Sequence, residues 1–406
     1  MSEAFLVGGV RTAQARYGGA LSTVRPDDLA ATVVGEVLER ENVPDFAVDE
    51  VILGAANQSG EDNRNVARMA ILLTGLPQSV PGYTVNRLCA SGLTAIACAV
   101  SAVRAGEVDL VVAGGVESMT RAPWAMAKPG TPWSRPGEVV DTSLGWRFVN
   151  PKFAAKDEAS RSDPSGGEGI ITLSMGETAE EVATLDGITR IECDKFSLQS
   201  HERAVAAMLS GKFHREIVPV KTKGGVVDQD ECPRSDSSLE RLQMLPTVFR
   251  DGGVVTAGSA SPLSDGAAAV IVASEWAVEH YGLQPRARVV ASASAGVPPS
   301  LMGLGPVPAT EKALLKANWS IEDVDAVELN EAFAAQSLAV IRRLKLDEAI
   351  VNADGGAIAL GHPLGCSGAR IVVTLLGRLE RGALSKGLAT LCVGVGQGVA
   401  MLIERV

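Results

Sequence analysis

Three side chains in this sequence could together do covalent chemistry at a carbonyl: Cys89 in NRLCASGLTA, His362 in GGAIALGHPLGCSGAR and Cys392 in LCVGVGQGVA. Cys89 follows an extended stretch and begins a helix of small residues. Free backbone N–H groups and the helix dipole at such a start favour a thiolate, which would lower the pKa. The residue therefore reads either as a nucleophile or as a small buried apolar side chain. Cys98, further along the same helix among alanines, fits the buried reading. His362 is wedged between Gly361 and Pro363 in a glycine-dense loop that introduces a helix. Such a loop costs backbone entropy and suits close approach to a ligand, or else a histidine that caps the loop. His201, His214 and His280 fall in polar helical or surface-like windows and read as solvated. Cys392 ends an apolar strand. The glycines after it, Gly394, Gly396 and Gly398, bring main-chain N–H groups forward, where a donor pair could stabilise an oxyanion.

Asn330 and Glu331 in ELNEAFAAQ stand at a strand-to-helix junction, where Asn330 reads as an N-cap or as a site group. The TAGSASPLSDGAAAV loop (256–270) is small and polar, and suits an extended ligand lying along backbone. No second histidine or acidic cluster has metal-ligand spacing and HExxH is absent, so no metal is expected. The glycine run at 394–398 lacks the strand–turn–helix unit and downstream acid of a dinucleotide loop. P-loop and GxSxG patterns are missing as well.

The elements that must position these groups alternate between strand and helix. AFLVGGVR, VDEVILGAAN and LVVAGGVES read as strands; LAATVVGEVLERENV, NVARMAILLTGLP and CASGLTAIACAVSAVRAG, the last ending near Gly106, read as helices. From about Thr120 to Asp251 the texture changes. RAPWAMAKPGTPWSRPGE is rich in proline and tryptophan, KDEASRSDPSGGEG reads as polar and flexible, and two helical stretches follow. This span reads as an insertion carried on an α/β core. The alternation then returns: GAAAVIVAS, RARVVASASAG, the helix PATEKALLKANW, VDAVELN, a helix through EAFAAQSLAVIRRL, and a closing strand VAMLIERV that could sit centrally in a sheet. The halves echo each other, each placing a small-residue helix before an apolar strand. That pattern suggests a duplication, with a site where the loops of two similar domains meet.

Whole-chain properties bound the function. The chain has 406 residues, enough for two or three domains. Its formal net charge of -11, without a basic cluster, argues against nucleic-acid binding. The apolar stretch at the N-terminus is too short for a secretory signal, and no run reaches the ~20 apolar residues of a membrane span, so a cytoplasmic location is expected. Six sparse cysteines without CxxC read as free thiols.

The set NRLCASG (86–92), GGVESMT (114–120), SMGETAE (174–180), TAGSASPLSDGAAA (256–269), MGLGPVPA (302–309), NEAFAAQ (330–336), NADGGAIALGHPLGCSGAR (352–370) and CVGVGQG (392–398) resembles the thiolases, the acetyl-CoA C-acyltransferases, from end to end. The resemblance implies an α/β fold of five layers, α-β-α-β-α, built from two similar domains. The first would be residues 1–120 completed by about 252–272, the second 273–406. Residues 121–251 would form a loop domain over the CoA site. It implies thiolytic cleavage of a 3-oxoacyl-CoA by CoA, reversible as a Claisen condensation, through an acyl-Cys89 intermediate. His362 would activate Cys89 and help stabilise the thioester oxyanion, with a water held by Asn330. Cys392 would act as acid and base at the alpha carbon, and the N–H groups of Cys89 and Gly394 would form the second oxyanion hole. CoA would contact Arg234 and Ser261, with Met175, Leu245, Phe249, Met302 and Phe333 as apolar lining.

No permanently bound cofactor is implied, CoA and acyl-CoA being substrates, and the family resemblance points to a homo-oligomer, a dimer or a dimer of dimers. Two departures bear on the substrate. Ser259 stands where the family has asparagine. Ser174-Met175-Gly176 replaces the His-Met-Gly common in biosynthetic acetoacetyl-CoA thiolases, while DTSLGWRFVNP (141–151) resembles the β-ketoadipyl-CoA thiolases. The reading leans toward degradation of a 3-oxoacyl-CoA, including a dicarboxylic one; a biosynthetic acetoacetyl-CoA thiolase is the alternative, and a non-enzymatic CoA- or lipid-binding scaffold the different-class one. Condensing ketosynthases use a Cys-His-His or Cys-His-Asn set, whereas this chain offers a second cysteine.

Overall fold

A computed structural model describes residues 3–162 and 169–406. The apolar strands form one mixed sheet whose two halves run in the same manner. The first half is ordered Gly82–Val85, Glu50–Gly54, Leu110–Ser118, Ser264–Ser274, Ala4–Thr12; the second is Pro285–Gly296, Gln397–Arg405, Lys386–Val393, Ala326–Leu329. Among the described residues, their strands join only through a short antiparallel pairing of Phe5–Val7 with the Pro285–Gly296 strand. Each half carries parallel pairing at its outer edge and antiparallel pairing inside. The closing strand is interior, between Pro285–Gly296 and Lys386–Val393, as its alternation suggested.

Helices make the remaining layers. Pro26–Arg40 and Val66–Thr74 cover the outer face of the first half, and Pro306–Ala317 and Ala334–Leu344 that of the second. Between the halves lie Ser91–Ala105 and Leu364–Arg381, whose alanine, isoleucine and leucine side chains contact both sheets. The order is α-β-α-β-α. Leu88–Ala105 is long and apolar enough to cross a membrane by composition, yet here it is this central helix.

Small residues let the two central helices cross closely. A Cβ on Gly92 would lie 2.7 Å from the Gly365 carbonyl oxygen, and one on Gly368 would lie 2.3 Å from the Leu93 nitrogen. Backbone therefore meets backbone at the start of both helices, and the loops preceding them are brought together.

Residues between the third and fourth strands of the first half fold across this junction. They include the hairpin Trp124–Met126 and Val139–Asp141 and the helices Pro151–Ser162, Met175–Asp186 and Arg190–Leu209. Ser174 with Glu177, and Thr189 with Glu192, close the last two helices with capping boxes. The first part of KDEASRSDPSGGEG, expected to be flexible, is instead the end of the Pro151–Ser162 helix; residues 163–168 lie outside the described residues. Buried Arg11 ties this segment to the first strand, pairing with Glu216 at 2.7 Å and with both oxygens of Asp230 at 2.7 and 2.8 Å.

Candidate active site

Cys89 lies in a tight turn, Leu88–Ala90, continuous with the Ser91–Ala105 helix. Leu88 has φ 46°, left-handed backbone that costs a leucine about 1–2 kcal/mol. Neighbouring bonds hold it. Asn86 Oδ1 accepts from the Leu88 N–H at 2.9 Å, while Ser91 Oγ accepts from the Arg87 N–H at 2.9 Å and donates to the Leu88 carbonyl at 2.7 Å. Cys89 is half-buried. Burial pushes its thiol up to about 11; the N–H groups of Gly394 and of Cys89 itself pull the other way, and the Glu117 charge adds to the rise. The expected lowering at the helix start is thus outweighed by desolvation. The resting group is a thiol, so a nucleophilic role would need a base beside it.

His362 lines the same cavity as Cys89. It is buried, and burial first, then the charge of Arg370, brings the imidazole down to about 3, so it is neutral at physiological pH. Its tautomer follows from a chain of bonds. Ser367 Oγ donates its proton to the Pro363 carbonyl at 2.9 Å and lies 2.6 Å from His362 Nδ1, so Nδ1 must be the protonated nitrogen. Nε2 is left as the basic atom, and Asn330 Nδ2 donates to it at 3.3 Å. Asn330 is fully buried, its Oδ1 has no protein partner, and Phe333 rather than Asn330 caps the following helix. The cap reading of Asn330 is excluded. The adjacent Glu331 is a clamp instead, accepting from Ser200 Oγ at 2.6 Å, Asn352 Nδ2 at 2.8 Å and the Ile358 N–H at 3.1 Å.

Cys392 is buried among Met302, Ala332 and Phe333, with Met175 against them. Burial and, next, the nearby Cys89 sulfur raise its thiol above the ordinary value. Gly394 follows, with backbone close to Leu88 and Met175.

These groups open onto one cavity of approximately 490 Å³. Of the residues anticipated from sequence, Cys89, His362, Cys392, Gly394, Ser261, Met175, Met302 and Phe333 line it. Asn330 acts from behind His362. Ser261 donates through both its N–H and its hydroxyl to the Ala332 carbonyl, at 3.0 and 3.1 Å. Arg234, Leu245 and Phe249 are outside the lining. Phe249 packs edge-on against Phe333, with ring centroids 6.4 Å apart, Leu245 covers Gly258, and the Arg234 side chain is exposed. Ser259 holds its own loop, accepting from the Thr256 N–H at 2.9 Å. His201, expected to be solvated, is buried and accepts from the Arg234 N–H at 3.2 Å; burial brings it down to about 4.

Sequence reasoning missed Glu117, and it singled out residues 141–151 as bearing on the substrate without assigning any of them to the site. Glu117 is buried and accepts three backbone N–H groups, from Ala56 and Gly365 at 2.8 Å and Asn57 at 3.1 Å. It joins the first sheet to the start of the His362 helix, and burial raises it to about 7. The rim comes from Thr142–Phe148, tied at Thr142 to Asn57 and at Trp146 to Leu173, partners far away in sequence.

Two family models together span nearly the whole chain. Residues 4–276 match the model of the thiolase N-terminal domain and residues 283–405 that of the thiolase C-terminal domain. A 3-oxoadipyl-CoA/3-oxo-5,6-dehydrosuberyl-CoA thiolase of Escherichia coli strain K12 is 54% identical over 414 residues, with 100% of each chain covered. A β-ketoadipyl-CoA thiolase of Pseudomonas aeruginosa is 52% identical, covering 100% of this chain and 99% of its own. Among solved structures, human mitochondrial 3-ketoacyl-CoA thiolase in complex with CoA superposes with a TM-score of 0.91 at 39% identity, over 100% of this chain and 98% of that one. The acetyl-CoA acetyltransferase of Bacillus anthracis gives 0.91 at 43% identity, over 100% and 99%.

Proposed function

Because the chain belongs to the thiolase family, we propose that its two cysteines and His362 divide the work of thiolytic carbon–carbon cleavage. The enzyme cleaves a 3-oxoacyl-CoA with CoA to acetyl-CoA and a shortened acyl-CoA, and the reverse reaction is a Claisen condensation.

His362 Nε2 takes the Cys89 proton, and the thiolate attacks the 3-keto carbon. The N–H groups of Cys89 and Gly394 stabilise the oxyanion that forms there. Collapse of the adduct breaks the bond between C2 and C3. The electron pair passes into the thioester of departing acetyl-CoA, whose enolate oxygen is met by protonated His362 and by a water on Asn330 Oδ1. Cys392 protonates the alpha carbon, then as thiolate takes the proton of incoming CoA, whose sulfur attacks acyl-Cys89. Ser261, Met175, Met302 and Phe333 contact the pantetheine arm, with Arg234, Leu245 and Phe249 further out, and residues 121–251 act as the cover.

The observation that carries this reading is the Ser367–His362–Asn330 chain, which leaves Nε2 as a base on a cavity shared by both cysteines. Its test is Cys392→Ser. This variant should still exchange acyl groups through Cys89 but fail to exchange the alpha proton of acetyl-CoA with solvent; normal rates of both would refute the assignment. The substrate is read as a 3-oxoacyl-CoA with a terminal carboxylate, on the strength of relatives named for 3-oxoadipyl-CoA. Comparing kcat/KM for 3-oxoadipyl-CoA, acetoacetyl-CoA and long unbranched 3-oxoacyl-CoAs tests it, and a preference for the long chains would reject it. The chain is also read as a dimer or a dimer of dimers, which light scattering of the purified protein would resolve.

A further inference from the structure

The cavity wall is apolar nearly throughout, and only two of its lining side chains carry an ionisable group other than cysteine or histidine: Glu117 and Arg147. They differ in their partners. Glu117 has both oxygens engaged by backbone N–H groups. Arg147 is half-buried, and among the described residues its guanidinium has no carboxylate or carbonyl partner.

The backbone that leads into Arg147 is anchored at Thr142, Ser143 and Trp146. Asn57 Nδ2 donates to Thr142 Oγ1 at 2.9 Å, and Thr142 in turn donates to the Pro123 carbonyl. Asp141 Oδ1 accepts from the Ser143 N–H at 2.8 Å. Trp146, the preceding residue, donates its indole N–H to the Leu173 carbonyl at 3.1 Å and stacks edge-on with Phe153, with centroids 6.5 Å apart. Leu144, Trp146 and Phe148 line the same cavity, so the loop that carries this single cation has an apolar collar of its own neighbours in sequence. A half-desolvated charge without a counter-charge is unfavourable until an anion meets it, and a guanidinium offers a carboxylate two parallel N–H bonds.

We infer that Arg147 is the residue that selects the acyl chain, binding a carboxylate at the end of the 3-oxoacyl group remote from the thioester. This rests on the proposed reading of the cavity as the 3-oxoacyl-CoA site. The chemistry sets the selection rule. A chain ending in a methyl group buries the collar but leaves the cation unpaired, whereas a dicarboxylic chain satisfies both. Discrimination against an analogue that lacks the pairing group is the larger effect, because the unmet polar group stays in the cavity.

A phosphate of CoA is the other anion that could reach a cation on this rim, and the experiment separates the two. In wild-type enzyme, kcat/KM is measured for 3-oxoadipyl-CoA and for 3-oxohexanoyl-CoA, which has the same chain length and a methyl end. The ratio is then measured again in Arg147→Gln and Arg147→Lys. The ratio should fall about 100-fold in Arg147→Gln and by a smaller factor in Arg147→Lys, which keeps the charge but loses the paired geometry. An unchanged ratio overturns the inference, whether activity is retained or lost equally on both substrates, as loss of a phosphate contact or of folding would cause. A wild-type enzyme that does not favour the dicarboxylic substrate rejects the substrate reading itself. A wild type that favours it, together with an Arg147→Gln variant that favours it to the same degree, rejects Arg147 alone.

Discussion

The starts of the two central helices occupy matching places in the two halves of the fold, yet they present their functional groups in opposite ways. At Ser91–Ala105 the group is Cys89, half-buried, on a turn forced into left-handed backbone at Leu88. At Leu364–Arg381 it is His362, buried and fixed at both ring nitrogens by Ser367 and Asn330. On the proposed mechanism, one start exposes the group that forms and breaks bonds, and the other withdraws the group that moves protons and meets the oxyanion. Equivalent architecture, with burial adjusted at each end, yields a neutral thiol and a neutral base that exchange one proton on demand.

If that division is right, damage to the two starts should be unequal. Cys89→Ala should lower kcat by about 10⁵-fold or more and abolish the acyl-enzyme seen by mass spectrometry. His362→Gln, which removes the base but leaves the nucleophile, should lower it by about 10³-fold, with slow acylation still detectable at alkaline pH, where Cys89 ionises unaided near 11. Equal losses would erase the distinction. Ser367→Ala should cost about 10- to 100-fold in kcat, because Nδ1 loses the acceptor that keeps Nε2 basic. An unaffected rate would show that the tautomer is set elsewhere.

Two smaller effects concern stability. Glu117→Gln places an amide where three N–H groups converge and should destabilise the fold by about 1–3 kcal/mol in urea unfolding. The last concerns acid. His362 is held at about 3 in the folded chain, against an ordinary value of 6.5, so the unfolded chain binds its proton first as pH falls. That contribution is complete above about pH 6.5 and is lost progressively toward pH 3. The Tm of His362→Gln should therefore fall less steeply than that of the wild type over this window; parallel curves would contradict the buried, neutral state.

Much of this was legible from the sequence because the two periodicities differ so clearly. The alternation of strands and small-residue helices showed an α/β core in two similar halves, the five layers came from the family resemblance, and the cysteine and histidine loops stand out because glycines flank them. Glu117 was not legible: at the end of LVVAGGVES it looks like an ordinary polar residue closing a strand, and its partners Ala56, Asn57 and Gly365 lie far away in sequence. His201 was misread because its helix is polar in composition, whereas its burial depends on the segment around Arg234 packing over it. The pKa of Cys89 was misjudged in direction for a related reason. A helix start is a local feature, but desolvation is set by everything that closes around it.

The glycine crossing at Gly92, Gly365 and Gly368 separates what can vary in this protein from what cannot. The spacing between the two helix starts is set by main chain against main chain, where even one methyl group has no room. The rim at Thr142–Phe148 belongs to a different stretch of chain and touches none of that contact. On the reading proposed for Arg147, substitutions on the rim change which acyl chain is accepted without disturbing the spacing of the two helix starts. A lineage built this way can alter its diet while keeping its reaction.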